Sequence, residues 1–385
     1  MKNAKAWVLI QIASVFNVLV GVVAAHSLTN DQFGKFATVL ASIAIIVSVL
    51  NPLINEISRV VSVYGFLSSK LINKLTSTCC IIAVGISAVC CLPMVENLAQ
   101  SVILLILIPT FLVISSWFSG VLIGLNQFVE AGLLQIAGAF SRLGALLIGL
   151  IFLPNFITAS FAYVIGFFVT ICYGIKLTWN NLKIDNELIN INYVVVVGFF
   201  LLALPFSLDQ VLVQWLYPQI SGEYAAIMTY SKIIMLASAP ALTIAYGSAV
   251  QVDPKNFSFI NFTKSTIKIA AVTFLLVGVF WLLAPWCFTL LLGTQYKSLI
   301  PNLYLGLVSI GLHVVSYMIF QTLVLHAKWW LIPVLGIIPA AQVLGILFFA
   351  QSDIDNLLYV SFFVFAAQLV LALIASFLIA NRRLA

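Results

Sequence analysis

The sequence is a succession of apolar runs, each about twenty residues long, the length an α-helix needs to cross about 30 Å of hydrocarbon. The runs return roughly every 25–30 residues from one end of the chain to the other. They are continuously apolar rather than alternating, which excludes a membrane β-barrel. Charged residues make up only 7% of the 385, and 63% are hydrophobic. A soluble globular protein carries about 25% charged residues, so this chain has too little charge to cover a surface in water. The pattern predicts an all-α polytopic membrane protein.

Twelve helices are expected, at residues 6–25, 34–55, 72–93, 100–123, 130–153, 158–178, 193–216, 224–249, 266–291, 299–326, 329–350 and 356–380. On these spans no loop exceeds about 18 residues, which leaves no room for a separate catalytic domain. Lys2 and Lys5 precede the first run, as in a signal peptide. Gln11, Ser14 and Asn17 interrupt it, however, and no convincing small-residue cleavage site follows, so it is kept as a helix. All six cysteines lie inside apolar runs without C-x-x-C spacing and read as small apolar residues.

Orientation follows from the basic residues of the loops. With the N-terminus inside, the cytoplasmic segments hold Lys2, Lys5, Arg59, Lys70, Lys74, Lys176, Lys183, Lys255, Lys264, Lys268, Lys328, Arg382 and Arg383. The opposite side holds Lys35 and Lys297. This asymmetry places both termini in the cytoplasm. It also accounts for the formal charge of +6 through topology and contact with anionic lipid, not nucleic acid. Trp7, Trp179, Trp215, Trp329 and Trp330 fall near helix ends, where an interfacial aromatic belt belongs.

The longest polar stretch, residues 180–192, divides the helices six and six. The expected organisation is residues 1–181 with helices 1–6, a cytoplasmic linker 182–192, and residues 193–385 with helices 7–12. The halves resemble each other weakly. Asn30-Asp31-Gln32-Phe33-Gly34 after helix 1 matches Ser221-Gly222-Glu223-Tyr224-Ala225 after helix 7, and the turn at 124–128 matches 325–329. An offset of six spans makes such repeats parallel, related by an axis along the membrane normal.

Polar residues inside the runs mark where chemistry can sit. Gln11, Ser14, Asn17 and Gly21 share one face of helix 1, and Ser207, Gln210 and Gln214 share one face of helix 7, with Asp209 beside it. Such stripes either join helices by hydrogen bonds or line a hydrated cavity. Asp209 and Lys232 flank the helix 7–8 hairpin, both roughly 10–12 Å below the outer surface at 1.5 Å per residue. They are candidates for a structural salt bridge or for a gated pair. Arg142 lies near the midplane of helix 5, and no carboxylate of its own half reaches that depth. A charge at bilayer depth costs about 2.5–3.5 kcal/mol on insertion scales. The guanidinium fork suits phosphate; the other reading is bonding to carbonyls freed by proline kinks. Pro52, Pro109, Pro205, Pro240, Pro285, Pro333 and Pro339 lie within spans, and Pro205 should bend helix 7 where its polar stripe begins. His313, in mid-span of helix 10, either takes a proton or bonds a neighbouring helix; His26 and His326 fall at interfaces. No nucleotide-binding loop or metal-ligand cluster is present, so no cofactor and no metal are expected, and the chain is not expected to be an enzyme.

Residues 28–59 (LTNDQFGKFATVLASIAIIVSVLNPLINEISR), 120–147 (GVLIGLNQFVEAGLLQIAGAFSRLGALL) and 207–234 (SLDQVLVQWLYPQISGEYAAIMTYSKII) resemble segments of the Wzx-type polysaccharide flippases, members of the multidrug/oligosaccharidyl-lipid/polysaccharide (MOP) exporter superfamily. Residues 291–306 (LLGTQYKSLIPNLYLG) are similar to the family's phenylalanine/leucine–glycine–x–x–tyrosine segment after helix 9. Each motif is mostly apolar; their order and spacing along nearly the whole chain carry the likeness. The resemblance implies two six-helix lobes in a V around a central cationic cavity, as in MATE transporters. It implies a cargo of undecaprenyl-pyrophosphate-linked oligosaccharide, an O-antigen or other surface repeat unit. That cargo would cross from inner to outer leaflet of the bacterial cytoplasmic membrane by alternating access, on the way to lipopolysaccharide or another surface polysaccharide. Arg142 falls where the family often has a helix 5 arginine, and Asp209 on its helix 7 aspartate. The chain is short for the family and lacks two further helices of the lipid II flippases, which speaks against a peptidoglycan precursor.

Cargo contacts are then expected from Arg142, Lys232, Gln11, Asn17, Gln210 and Gln214. Ion coupling is expected from Asp209 first and His313 second. The expected partners are the lipid-linked glycan, membrane lipid, and the polymerase and chain-length proteins of the same pathway. The alternatives are a MATE-like drug or metabolite antiporter, which favours acids in its cavity, and a membrane-embedded glycan polymerase or acyltransferase, which needs clustered acids or histidines at one face. The topology is checked by labelling single cysteines placed at Asn181 and Gln351 in a cysteine-free background: an impermeant reagent should reach them from opposite sides of the membrane.

Overall fold

In the computed structural model, which describes residues 2–64, 66–178, 183–185, 193–238, 259–325 and 329–381, nearly every described residue is helical. Helices satisfy their own backbone, which hydrocarbon cannot do for them. The chain clusters into two units, Met1–Asn192 and Tyr193–Ala385.

The first unit holds α1 (Lys2–Ser27), α2 (Asn30–Tyr64), α3 (Ser69–Cys91), α4 (Leu98–Gly124), α5 (Phe128–Phe152) and α6 (Phe156–Thr178). The second holds α7 in two pieces, α7a (Tyr193–Ala203) and α7b (Pro205–Leu216), then α8 (Ser221–Ser231), α9 (Phe259–Leu292), α10 (Leu303–Leu325), α11 (Leu331–Phe349) and α12 (Ile354–Asn381). A 3-10 segment, Thr294–Asn302, leads into α10. Ten helices among the described residues are long and apolar enough to cross a membrane, and eleven if α7a and α7b form one span. The remaining expected span, 224–249, is described only to residue 238; its part beyond, with Pro240, lies outside the described residues. Lys232 interrupts it, and residues 233–238 are helical again.

Two helices run beyond the expected ends. α2 reaches Tyr64 and α9 begins at Phe259, where hydrophobicity had placed their ends at residues 55 and 266. A hydrogen-bond ladder does not stop where an apolar run stops, and the more polar turns around Ser58 and Lys264 continue it. Pro205 acts as expected: α7a and α7b meet at 55°, because proline supplies no N–H to the preceding turn. The amide of Gln342, on α11, donates to the Pro205 carbonyl at 2.9 Å and occupies that acceptor at the bend. In α4 the turn before Pro109 widens into a π-helix, Val102–Leu107, and Ser87 of α3 donates to the Leu104 carbonyl at 2.6 Å.

The helices of the two units pair in the same order. In the first unit α1 packs on α5, α5 on α6, α2 on α4, α4 on α6, and α3 on both α2 and α4. In the second, α7 packs on α11, α11 on α12, α8 on α10, α10 on α12, and α9 on both α8 and α10. Each unit therefore carries one copy of the same six-helix arrangement. In the first unit, loop contacts show helices alternating in direction. Residues Phe66–Ser68 and Lys183–Asp185 pair as two short parallel strands, so the segments after α2 and α6 lie at one end. At the other end, Lys35 pairs with Asp31 and Glu96 at 3.2 and 3.6 Å. There too, the Gln32 side chain accepts the Phe156 N–H that opens α6, at 2.8 Å.

Glycine sets the closest approach of α2 and α4. A Cβ at Gly124 would lie 2.7 Å from the Ser58 carbonyl oxygen and 2.7 Å from the Val61 Cβ. Gly124→Val should therefore destabilise the protein by about 1–3 kcal/mol, the usual penalty for overpacking, seen as a lower melting temperature in detergent.

Candidate functional site

Arg142 sits on α5 against α6. Its stem crosses the α6 backbone at Gly166, where an added Cβ would collide with the arginine Cγ. Its Nε donates to the carbonyl of Gly138 one turn back, at 3.1 Å. The guanidinium carbon lies 5.3 Å from the centre of the Tyr163 ring and 5.2 Å from that of Phe167. Tyr163 and Phe167 are four residues apart, so both rings leave the same side of α6. Among the described residues no carboxylate pairs with Arg142, and only Nε of its nitrogens is hydrogen-bonded. The residue is partly exposed. Each cation–π contact contributes about 0.5–2 kcal/mol, and a charge-assisted hydrogen bond about 1.5–3 kcal/mol. Together these match the insertion cost of about 3 kcal/mol, with the positive charge left uncancelled. Bonding to a backbone carbonyl and a free guanidinium face thus coexist here.

The second unit buries a polar core. Asp209, on α7b, is fully buried. One of its oxygens accepts the Tyr224 hydroxyl at 2.6 Å and the other the Gln210 N–H at 2.8 Å. Tyr224 Oη lies 3.0 Å from Ser361 Oγ, which ties α7b, α8 and α12 together. The anticipated ion pair is not made: among the described residues Lys232 has no carboxylate within salt-bridge distance. Lys232 Nζ instead lies 4.6 Å over the ring of Phe206. The hairpin brings Asp209 and Lys232 to similar depth, but Tyr224 on α8 already occupies the carboxylate. His313 is fully buried, with Nδ1 3.0 Å from Gln368 Oε1 on α12. Its ring stacks on Phe206 at 5.4 Å and packs against Phe365 at 4.8 Å. Its Nε2 has no hydrogen-bond partner in the structure.

The two polar stripes differ. On α1, Asn17 is exposed and Gln11 partly so, and neither makes a hydrogen bond among the described residues. On α7b, Gln210 and Gln214 are 3% and 6% exposed. Gln210 donates to the Ser221 carbonyl at 3.4 Å. The buried Gln214 Oε1 has no hydrogen-bond partner among the described residues, and both glutamines are interior in this conformation. The reason is the bend at Pro205, after which α7b packs against α8 and α11. His26 is exposed, bonded to its own helix, and His326 lies outside the described residues.

Sequence reasoning missed Tyr163, Gly166, Phe167, Phe206, Tyr224, Ser361 and Gln368. A signal existed for some. Gln368 is a lone amide in an apolar run, and Tyr224 stood in the repeat motif after helix 7. The rings around Arg142 are indistinguishable in sequence from other membrane aromatics.

No protein-family model matches the sequence, and no curated protein matches it. Solved structures do. A MATE transporter in complex with MaL6 superposes with a TM-score of 0.62 at 16% identity, over 99% of this chain and 95% of that one. An outward-facing multidrug resistance MATE transporter of the MOP superfamily gives 0.59 at 15%, over 99% and 95%. A MOP superfamily transporter from Pyrococcus furiosus, described as having a binding pocket of reversed polarity, gives 0.54 at 14%, over 99% and 95%. The chain has the MATE/MOP transporter fold.

Tyr224→Phe leaves a buried carboxyl oxygen without its donor. It should destabilise the protein by about 1–3 kcal/mol, whereas Ser361→Ala, which removes only the further partner of the phenol, should have the smaller effect. Thermal unfolding of both variants in detergent checks the order.

Proposed function

We propose that this protein carries undecaprenyl-pyrophosphate-linked oligosaccharide from the inner to the outer leaflet of the bacterial cytoplasmic membrane. The observation that supports this reading best is Arg142: a positive charge at mid-helix, seated on two rings, with no acid paired to it and no hydrogen bond to its terminal nitrogens among the described residues. Such a group attracts a diphosphate and repels a cationic drug. Lys232, held over Phe206 near Asp209 but in no salt bridge among the described residues, adds a second cation. Gln11 and Asn17 offer unbonded amides to a sugar head group. The fold supports alternating access, and the polyprenyl tail stays in lipid while the head crosses. Coupling is assigned to Asp209 first and His313 second, both fully buried in the second unit. The positive-inside distribution of the loops supports both termini in the cytoplasm.

Export of a cationic drug or metabolite is the competing reading, since the multidrug MATE transporters share the fold. The Pyrococcus furiosus relative supports the view that pocket polarity varies within this fold. The two readings part on charge. In a bacterium lacking its own flippase and complemented by this protein, Arg142→Ala should abolish surface glycan while the protein level stays normal. Unchanged glycan output, or loss of drug tolerance alone, rules the glycan reading out.

A further inference from the structure

We infer that Gly166, on α6, is a positioning residue that fixes where the charge of Arg142 sits; this deepens the proposed function and rests on Arg142 as the anion-binding group. The α5–α6 contact is reciprocal. Gly166 leaves the space that the Arg142 stem fills, and an added Cβ would also come within 2.8 Å of the Arg142 Cδ. Gly138, on α5, leaves the space of Thr170, whose hydroxyl in turn donates to the Gly166 carbonyl at 2.8 Å. With no side chain at 166, the stem can lie flat across the α6 backbone. Tyr163 and Phe167 then stand to either side of that crossing in sequence, three residues before and one after, and both rings meet the guanidinium. A methyl group at 166 lifts the stem away from α6 and takes the guanidinium off its rings. The charge that remains is no longer held in one place for a diphosphate, although every residue that would touch the anion is unchanged.

The test uses the purified full-length protein in lipid nanodiscs, with inorganic pyrophosphate as the probe in calorimetric binding and thermal unfolding measured alongside. Gly166→Ala should weaken pyrophosphate binding at least tenfold, as should Arg142→Ala. The double variant should bind within about twofold of Arg142→Ala alone, because the methyl group has no arginine left to displace. Gly174→Ala, also on α6, is the control: it crowds Phe118 of α4, should lower the melting temperature, and should leave binding unchanged. Wild-type binding by a folded Gly166→Ala protein overturns the assignment. So does a further tenfold loss in the double variant, or equal weakening by Gly174→Ala. The Gly138 carbonyl, 2.8 Å from the added Cβ, resists the substitution in either background, so comparing backgrounds isolates Arg142. If Gly166→Ala alone does not fold, folding of the double variant supports the clash with the arginine stem; if neither folds, the Gly138 carbonyl and not the arginine stem limits residue 166, and the assignment is overturned. If Arg142→Ala binds pyrophosphate like wild type, the proposed function fails, while the stability difference between backgrounds still reports on Gly166.

Discussion

Hydrocarbon offers no hydrogen-bond partner, so each polar atom at bilayer depth must be satisfied by another part of the chain or kept for use. The helices meet this demand for the backbone. Side chains add bonds where proline interrupts a helix: Ser87 reaches the Leu104 carbonyl, the acceptor that Pro109 leaves open in the π-helical turn of α4, and Gln342 bonds the Pro205 carbonyl at the bend of α7. Small residues let the helices come close enough for such bonds, as Gly124 does between α2 and α4.

The ionisable groups are handled in two ways. Asp209 is fully engaged by a phenol and a backbone N–H, and the phenol is engaged in turn by a serine. Arg142 and Lys232 are instead set on aromatic rings. The difference matters for function. A carboxylate partner would cancel the charge, whereas a ring quadrupole stabilises a cation and leaves its charge to attract an anion. An all-apolar sleeve would leave the insertion cost of about 3 kcal/mol unmet. The rings together with the Gly138 carbonyl offset it.

The shared pairing order of the two units shows one helical arrangement put to different use. α5 carries Arg142 with free terminal nitrogens, while the matching stretch of α11 carries Gln342, whose amide is bonded to Pro205. α1 keeps Asn17 exposed, while the corresponding α7 is bent and turns Gln210 and Gln214 inward. One scaffold thus carries a partly exposed cation in one unit and a buried polar cluster in the other.

The sequence by itself determined the membrane class, the number of apolar runs and the break in α7. These follow from hydrophobic length, proline chemistry and a rise of about 1.5 Å per residue, all of which are local. Depth alone could not say which partner Asp209 takes, because Tyr224 on α8 and Lys232 just after it are both near the carboxylate. Nor could it say which rings receive Arg142, or that Gly166 clears the way for its stem. Those choices depend on how each helix is rotated about its axis and how closely it approaches its neighbour, and only the packing of the six helices in each unit fixes that.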